Sequence, residues 1–431
     1  MKKFACCIFL FIVAITFVFA SGGGDKGQKS ITMWMQNYGD DLPRQQRMMS
    51  DLAAKFEKES GIKVNIEISA FSEAARKWLL VATGGDHPDV GDMFQAWSHV
   101  QIGKGKAGPL PLDQYKAQLH QERFIPSTLV DVTFDGKVYG IPWRSDVRPM
   151  WYRADLFAQA GLPGPPDTWD DLVNYGKKLT VKAADGRIEI SGVGFTWGVK
   201  NNAQDFMHWI WQGGGEVMTR DGKTALINSK EVIDAMQFVR DLVHKHEVVT
   251  KEVLDPTYDG HNMFISGKVA IRPMATSTIS DFSPEMLAKV KPAIPTKGVT
   301  RTAYSGSGYM GALYGTKAIE ESVKWLEFLT RDENQLALAQ MSLQYSPSKG
   351  ASADAYFSND EWKSTVIKCL EFSHPTQHAN GAWVQISAYN PGSPIYDFWA
   401  DTLLNREPIP GLAAKYHAVT QDMMDKANAN N

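Results

Sequence analysis

The stretch Leu52-Ala-Ala-Lys-Phe-Glu-Lys-Glu-Ser-Gly-Ile-Lys-Val-Asn-Ile-Glu-Ile68 changes its hydrophobic period once, at Gly61. Before the glycine, Leu52 and Phe56 continue the spacing of Met48, which predicts a helix from Arg47 to Ser60. After it, Ile62, Val64, Ile66 and Ile68 alternate with Lys63, Asn65 and Glu67, the pattern of a strand with one covered face. Gly61 supplies the left-handed residue that closes the helix. The alternation extends on both sides. Ser30-Ile-Thr-Met-Trp-Met35 is a short apolar strand ahead of the helix. Glu73 to Thr83 reads as a second helix, ended by Gly84-Gly85, and Asp89-Val-Gly-Asp-Met93 as a third strand. Strands alternating with helices give an α/β sheet whose ligand edge lies at the carboxyl ends of its strands.

The chain has 431 residues, 43% apolar and 22% charged. That is enough apolar sequence for real cores and more length than one ordinary domain, so two lobes are expected. The 45 Lys+Arg against 48 Asp+Glu leave a formal charge of −3, which argues against nucleic-acid binding.

The N-terminus reads as an export signal. Lys2-Lys3 precede an apolar run from Phe4 to Phe19, and Val18-Phe19-Ala20 sets up a cut after Ala20. The run falls short of the roughly 20 apolar residues that cross a bilayer. Cys6 and Cys7 lie inside it, and neither follows a lipobox at its end, so a soluble periplasmic form is expected rather than a lipid-anchored one. Cutting off residues 1–20 removes two lysines, takes the formal charge from −3 to −5, and leaves Cys369 without a disulfide partner. Residues 21–29, with Gly22-Gly23-Gly24, read as a flexible leader.

Further along, Thr133-Phe-Asp-Gly-Lys-Val-Tyr-Gly-Ile-Pro142 carries a hairpin signal at Asp135-Gly136. Thr168-Trp-Asp-Asp171 opens a helix with a cap and acids in its first turn, approached through Pro163, Pro165 and Pro166. Ser229 caps a helix to about His246, and Lys317 to Leu329 supports another. The polar, glycine-rich stretches 136–146 and 300–310 are where the chain is expected to pass between lobes.

Several segments, in order along nearly the whole chain, resemble the solute-binding proteins of ABC importers, in the sugar-binding group that includes maltose-binding protein. They include the helix–strand stretch from Leu52, Ala82-Thr-Gly-Gly-Asp-His-Pro-Asp-Val90, the hairpin segment, and Trp151-Tyr-Arg-Ala-Asp-Leu-Phe157 with Ala160-Gly-Leu162. Pro166-Asp-Thr-Trp-Asp-Asp-Leu172, Phe264-Ile-Ser-Gly-Lys-Val-Ala270 and Trp325-Leu-Glu-Phe-Leu329 complete the set. The resemblance implies a two-lobed periplasmic-binding-protein fold of type II. One lobe would comprise 30–144 and 306–342, the other 145–305 and 343–431, with a ligand cleft at the hinge. It also implies a monomer without cofactor, metal or catalytic residues, which captures a sugar and delivers it to permease subunits served by a separate ATPase.

A sugar offers hydroxyls to polar side chains and a C–H face to aromatic rings, so its site combines Trp or Tyr with Asp, Asn, Gln and Arg. The loops with that composition supply the expected contacts. After the first strand these are Trp34, Asn37 and Tyr38; after the third, Gln95 and Trp97. Trp143 and Asp146 follow the hairpin, and the resemblance matches Asp146 to an acidic ligand contact. Asp205 and Trp209, four apart on one predicted helix, are joined by Arg272, which follows the Gly-Lys-Val-Ala segment where the resemblance implies a ligand-facing group. Tyr304, Tyr309, Tyr345 and Tyr396 complete the set. Several have a structural competitor: core packing for Trp34 and Trp209, packing between the lobes for Tyr304 and Tyr309, an ion pair with Arg144 for Asp146, burial for Arg272. Gly306 and Gly308 are expected to permit close backbone approach or hinge movement.

Other chemistries find weaker footing. His244 and His246 stand two apart, and His374 and His378 lie in a proline-interrupted loop, so metal binding is not expected. Ser305-Gly-Ser307 lacks the order of a nucleophile elbow, and Cys369 reads as packed rather than catalytic. A secreted glycosidase would need two carboxylates flanking the scissile bond, with Asp146 and Asp205 as the available pair. A peptide, polyamine or organic anion could occupy the same fold. An anion would call on Arg144, Arg148 or Arg272, and an amine on a ring of carboxylates.

Overall fold

The computed structural model describes residues 29–38, 41–82, 86–94, 108–134, 136–196, 198–199, 203–342, 344–374, 376, 380–388 and 391–429. The expected export signal, with its cut after Ala20, and the expected contacts Gln95 and Trp97 lie outside them.

β1 (Lys29–Gln36) leads into α1 (Leu42–Ser60), β2 (Ile62–Ser69), α2 (Phe71–Ala82) and β3 (Val90–Phe94). α1 starts at Leu42 rather than Arg47 because Asp41 accepts the Arg44 N–H and a proline occupies the first turn. Gly61 closes the helix at φ 72°. β4 (Ile141–Arg144) follows the short hairpin of Thr133–Phe134 with Lys137–Val138, and β5 (Met150–Arg153) begins a second sheet.

Next come α3 (Trp169–Leu179), α4 (Ala203–Gln212) and α5 (Lys230–His244), then β6 (Ile271–Pro273) and β7 (Val290–Ala293). Thr168 and Asp171 form a reciprocal capping box on α3, and Ser229 caps α5. The chain then returns to the first sheet as β8 (Gly308–Ala312), followed by α6 (Ile319–Leu329) and α7 (Asp332–Ser342). α8 (Pro394–Leu404) and α9 (Ile409–Ala429) pack back on the second lobe beside α5.

The first sheet has the order β2-β1-β3-β8-β4. β1 is parallel to β2 and β3, whereas β8 runs antiparallel to β3 and β4. The carboxyl ends of β1, β3 and β4 therefore share one edge with the start of β8, where Gly308 pairs with both Phe94 and Arg144. A Cβ on Gly308 would lie 2.7 Å from Arg144 Nε, so a side chain there would push the guanidinium aside. The second sheet, β6-β5-β7, is antiparallel throughout.

Each sheet has its own core, one containing Met33, Phe56 and Trp325, the other Phe195, Trp209 and Trp399. Between the sheets, three segments lie side by side. Ser145 N–H donates to Tyr345 O at 2.9 Å, Gly306 N–H to Asp146 O at 2.9 Å, and Arg148 N–H to Tyr304 O at 2.8 Å. Among the described residues no helix is long and apolar enough to cross a membrane.

Candidate functional site: a polar seam where the lobes meet

The shared edge of the first sheet is polar. Asp92, in the middle of β3, is fully buried. It accepts the Trp143 indole N–H at 2.8 Å and the Gln36 N–H at 3.2 Å. Burial pushes its carboxyl above the ordinary value, against the pull of the Arg144 charge and the indole N–H. The Arg144 guanidinium sits 4.0 Å from the centre of the Tyr38 ring. Its Nη1 donates to Gly306 O and to Gln344 Oε1, both at 3.1 Å.

Two residues on, the chain becomes partly accessible. Asp146 Oδ2 lies 2.8 Å from Arg148 Nη1, with side chains 15% and 12% exposed respectively. Thr276 Oγ1 donates to Asp146 Oδ1 at 3.2 Å. Arg148 also donates from Nε and Nη2 to Gln204 Oε1, at 3.2 and 3.1 Å, and stands over the Tyr304 ring. Deeper in the second lobe, Asp205 is 2% exposed and accepts Thr196 N–H at 2.6 Å and Thr196 Oγ1–H at 2.7 Å. Its negative charge opposes the desolvation that lowers the pKa of Arg272, which is 1% exposed and donates from Nε to Pro273 O.

The seam gathers Tyr38, Trp143, Asp146, Tyr304 and Tyr345 from the expected contacts, with Asp205 and Arg272 beneath them. Trp143 and Arg272 are too deeply buried to present a face to solvent. Tyr345 packs on Phe357, and burial raises its phenol well above the ordinary value. Asn37, just past the end of β1, donates its N–H to Ser69 O at the end of β2.

Four expected contacts lie elsewhere. Trp209 is 0% exposed and packs among Trp169, Phe195 and Phe238, so it fills the second core and offers no stacking face. The helix face it shares with Asp205 is the buried one. Trp34 lies under α2, with Trp78 across from it at 6.0 Å and Lys77 over its ring. Tyr309 is buried between β3 and β4 in the first sheet, opposite Met93. Tyr396 sits nearly buried in the first turn of α8. Trp209 and Tyr309 met apolar neighbours from their own lobes, and burying an aromatic side chain of this size removes roughly 150–250 Å² from water.

Asp92, Arg144, Arg148, Gln204, Thr276 and Gln344 were not among the expected contacts. Asp92 had a readable signal: a carboxylate in the apolar strand Val-Gly-Asp-Met-Phe needs buried partners. The glycines of the return crossing divide. Gly308 is crowded by Arg144, whereas a Cβ at Gly306 would meet Asp146 only at 3.8 Å, ordinary contact. His374 stacks on Trp211 at 4.2 Å, and His378 lies outside the described residues. Cys369 is fully buried in the helix Glu361–Cys369, and burial pushes its thiol up to about 12, which keeps it protonated and unreactive.

Residues 39–336 match the bacterial extracellular solute-binding proteins, and the chain belongs to that family. A Brucella abortus protein described as a binding protein is 28% identical over 282 residues, 64% of this chain and 66% of the relative, slightly under two thirds of its length. The maltodextrin-binding protein of Bacillus subtilis is 26% identical over 338 residues, covering 76% of this chain and 77% of that one. Among solved structures, the sugar-binding protein MalE from Xanthomonas citri superposes with TM-score 0.79 at 16% identity, covering 92% of this chain and 98% of that one. A maltose-bound protein from T. maritima gives 0.67 at 23%, covering 91% and 99%. These structural likenesses establish the two-lobed α/β fold.

Proposed function

We propose that the chain captures a neutral sugar between its two lobes and presents it to the permease of an ABC importer powered by a separate ATPase. The observation that carries this reading is charge matching. Each arginine in or beneath the seam is answered by an aspartate: Arg144 acts on Asp92, Arg148 pairs with Asp146, and the buried Arg272 is offset by Asp205. A seam balanced in this way offers hydrogen bonds without net charge. It suits hydroxyls better than a carboxylate or an ammonium, either of which would need an unmatched partner. Relatives described as binding maltodextrin and arabinooligosaccharide support a sugar over a peptide or polyamine.

Hydrolysis fits less well, because Asp205 is committed to Thr196 in the lobe interior and cannot meet a substrate as an acid or base. Export to the periplasm, lobe limits at 30–144 with 306–342 and 145–305 with 343–431, closure by hinge bending and a monomeric state belong to the same proposal. Calorimetry of the exported chain against neutral sugars, uronic acids and amino sugars tests it. Saturable heat with a neutral sugar and no product is expected. Binding confined to charged ligands would overturn it.

A further inference from the structure

Arg148 ties three elements of the seam together. Its Nη1 donates to the Asp146 carbonyl at 2.9 Å and lies 2.8 Å from Asp146 Oδ2. Its Nε and Nη2 both reach Gln204 Oε1, in the first turn of α4. The guanidinium carbon lies 5.3 Å from the Tyr304 ring centre, and the Arg148 N–H is bonded to the Tyr304 carbonyl. One planar fork thus joins the outgoing crossing, the returning crossing and a helix of the second lobe.

Two orientations follow. With Oδ2 on Arg148 and Oδ1 on Thr276, the plane of the Asp146 carboxylate is fixed. A carboxylate has about four lone-pair sites, so both oxygens can still accept from a ligand. Gln204 Oε1 is held by Nε and Nη2 of the same guanidinium, which anchors the fork on α4. A carboxylate fixed in this way answers a ligand hydroxyl that donates to it.

We propose that Arg148 is a positioning residue of the sugar site, fixing the Asp146 carboxylate as acceptor for a ligand hydroxyl through a guanidinium anchored on Gln204. The proposal rests on the sugar-binding function above. Lysine cannot substitute, because a single ammonium on a flexible stem lacks the planar fork that reaches both partners.

The test is a double-mutant cycle read by calorimetry, using whichever of maltose, maltotriose and D-tagatose binds the wild-type chain most tightly. Arg148→Lys is expected to raise Kd about tenfold or more while the unliganded melting temperature stays near wild type. Combined with Asp146→Asn, its effect should fall well short of the product of the two single losses, since Arg148 acts partly through Asp146. Should Arg148→Lys melt far below wild type, the same cycle is read on Arg148→Gln. A wild-type Kd in the Arg148 variants, or losses that simply multiply, would overturn the proposal. If the wild-type chain binds none of the three sugars, the functional reading fails on them. The Arg148 role is then decided by an unliganded crystal structure of Arg148→Lys. Displaced Asp146 and Gln204 rotamers support it, and unchanged rotamers overturn it.

Discussion

Asp92 and Asp146 are both aspartates set against an arginine where the lobes meet, yet they live in opposite surroundings. Asp92 is sealed inside the first sheet and spends its oxygens on an indole and a backbone N–H. Asp146 keeps a partly exposed side chain between an arginine and a threonine. The difference teaches that residue type and an arginine neighbour do not identify a ligand contact. Exposure does: a buried acid is held by its lobe, whereas an accessible one has acceptor capacity left for a visitor.

The largest expected effects break the buried side. Asp92→Ala strips the carboxylate from the Trp143 N–H and the Arg144 charge inside a dry interior, and should cost ~3–5 kcal/mol of stability in urea unfolding. Trp209→Ala should cost a similar ~3–5 kcal/mol, as a cavity in the second core. If Trp209→Ala instead melted normally and lost ligand affinity, its placement in the core would be wrong.

The accessible side should respond in the other observable. Asp146→Asn keeps the shape but gives up charge-assisted bonds, so sugar affinity should drop by ~1.5–3 kcal/mol, about one to two decades in Kd, with little change in the unliganded melt.

The smallest effect concerns a third acid. Glu216 accepts from the Trp211 indole and the Val217 N–H, faces Arg220, and has His374 Nε2 at 3.6 Å. Burial raises its carboxyl from 4.5 to about 7. The folded chain therefore holds a proton there that the unfolded chain has released. The resulting penalty is absent below pH 4.5, grows as pH rises, and is complete above pH 7. With a side chain one-quarter exposed, the loss across that window should be ~1–2 kcal/mol, and Glu216→Gln should flatten it in melts from pH 5 to 8. A charged His374 at the acid end would favour the Glu216 anion and trim the slope.

What the sequence made legible was local. The period change at Gly61, the Thr168 capping box and the Ser229 cap are written in adjacent residues, and each element stands within a few residues of its predicted limits. α7 escaped notice because it has no clean apolar stripe. Asn334 and Gln335 are buried in it, donating back to Phe328 O and Leu329 O. The site was legible only in part, for a physical reason. Sugar clefts and cores both use Trp and Tyr, so composition could not separate Tyr304, on the seam side of the second core under Arg148, from Trp209 deep within the same core. The partners that set the electrostatics, Arg144 on Asp92 and Arg148 on Gln204, depend on strand register and helix placement that no short spacing encodes.

The most direct test is a crystal structure of the exported chain with a sugar carried through purification. The ligand is expected between the lobes, with a hydroxyl within hydrogen-bond distance of Asp146 and no ligand atom touching Asp92 or Trp209. A sugar seated between the lobes without contact to Asp146, or one bound outside the cleft altogether, would contradict the account.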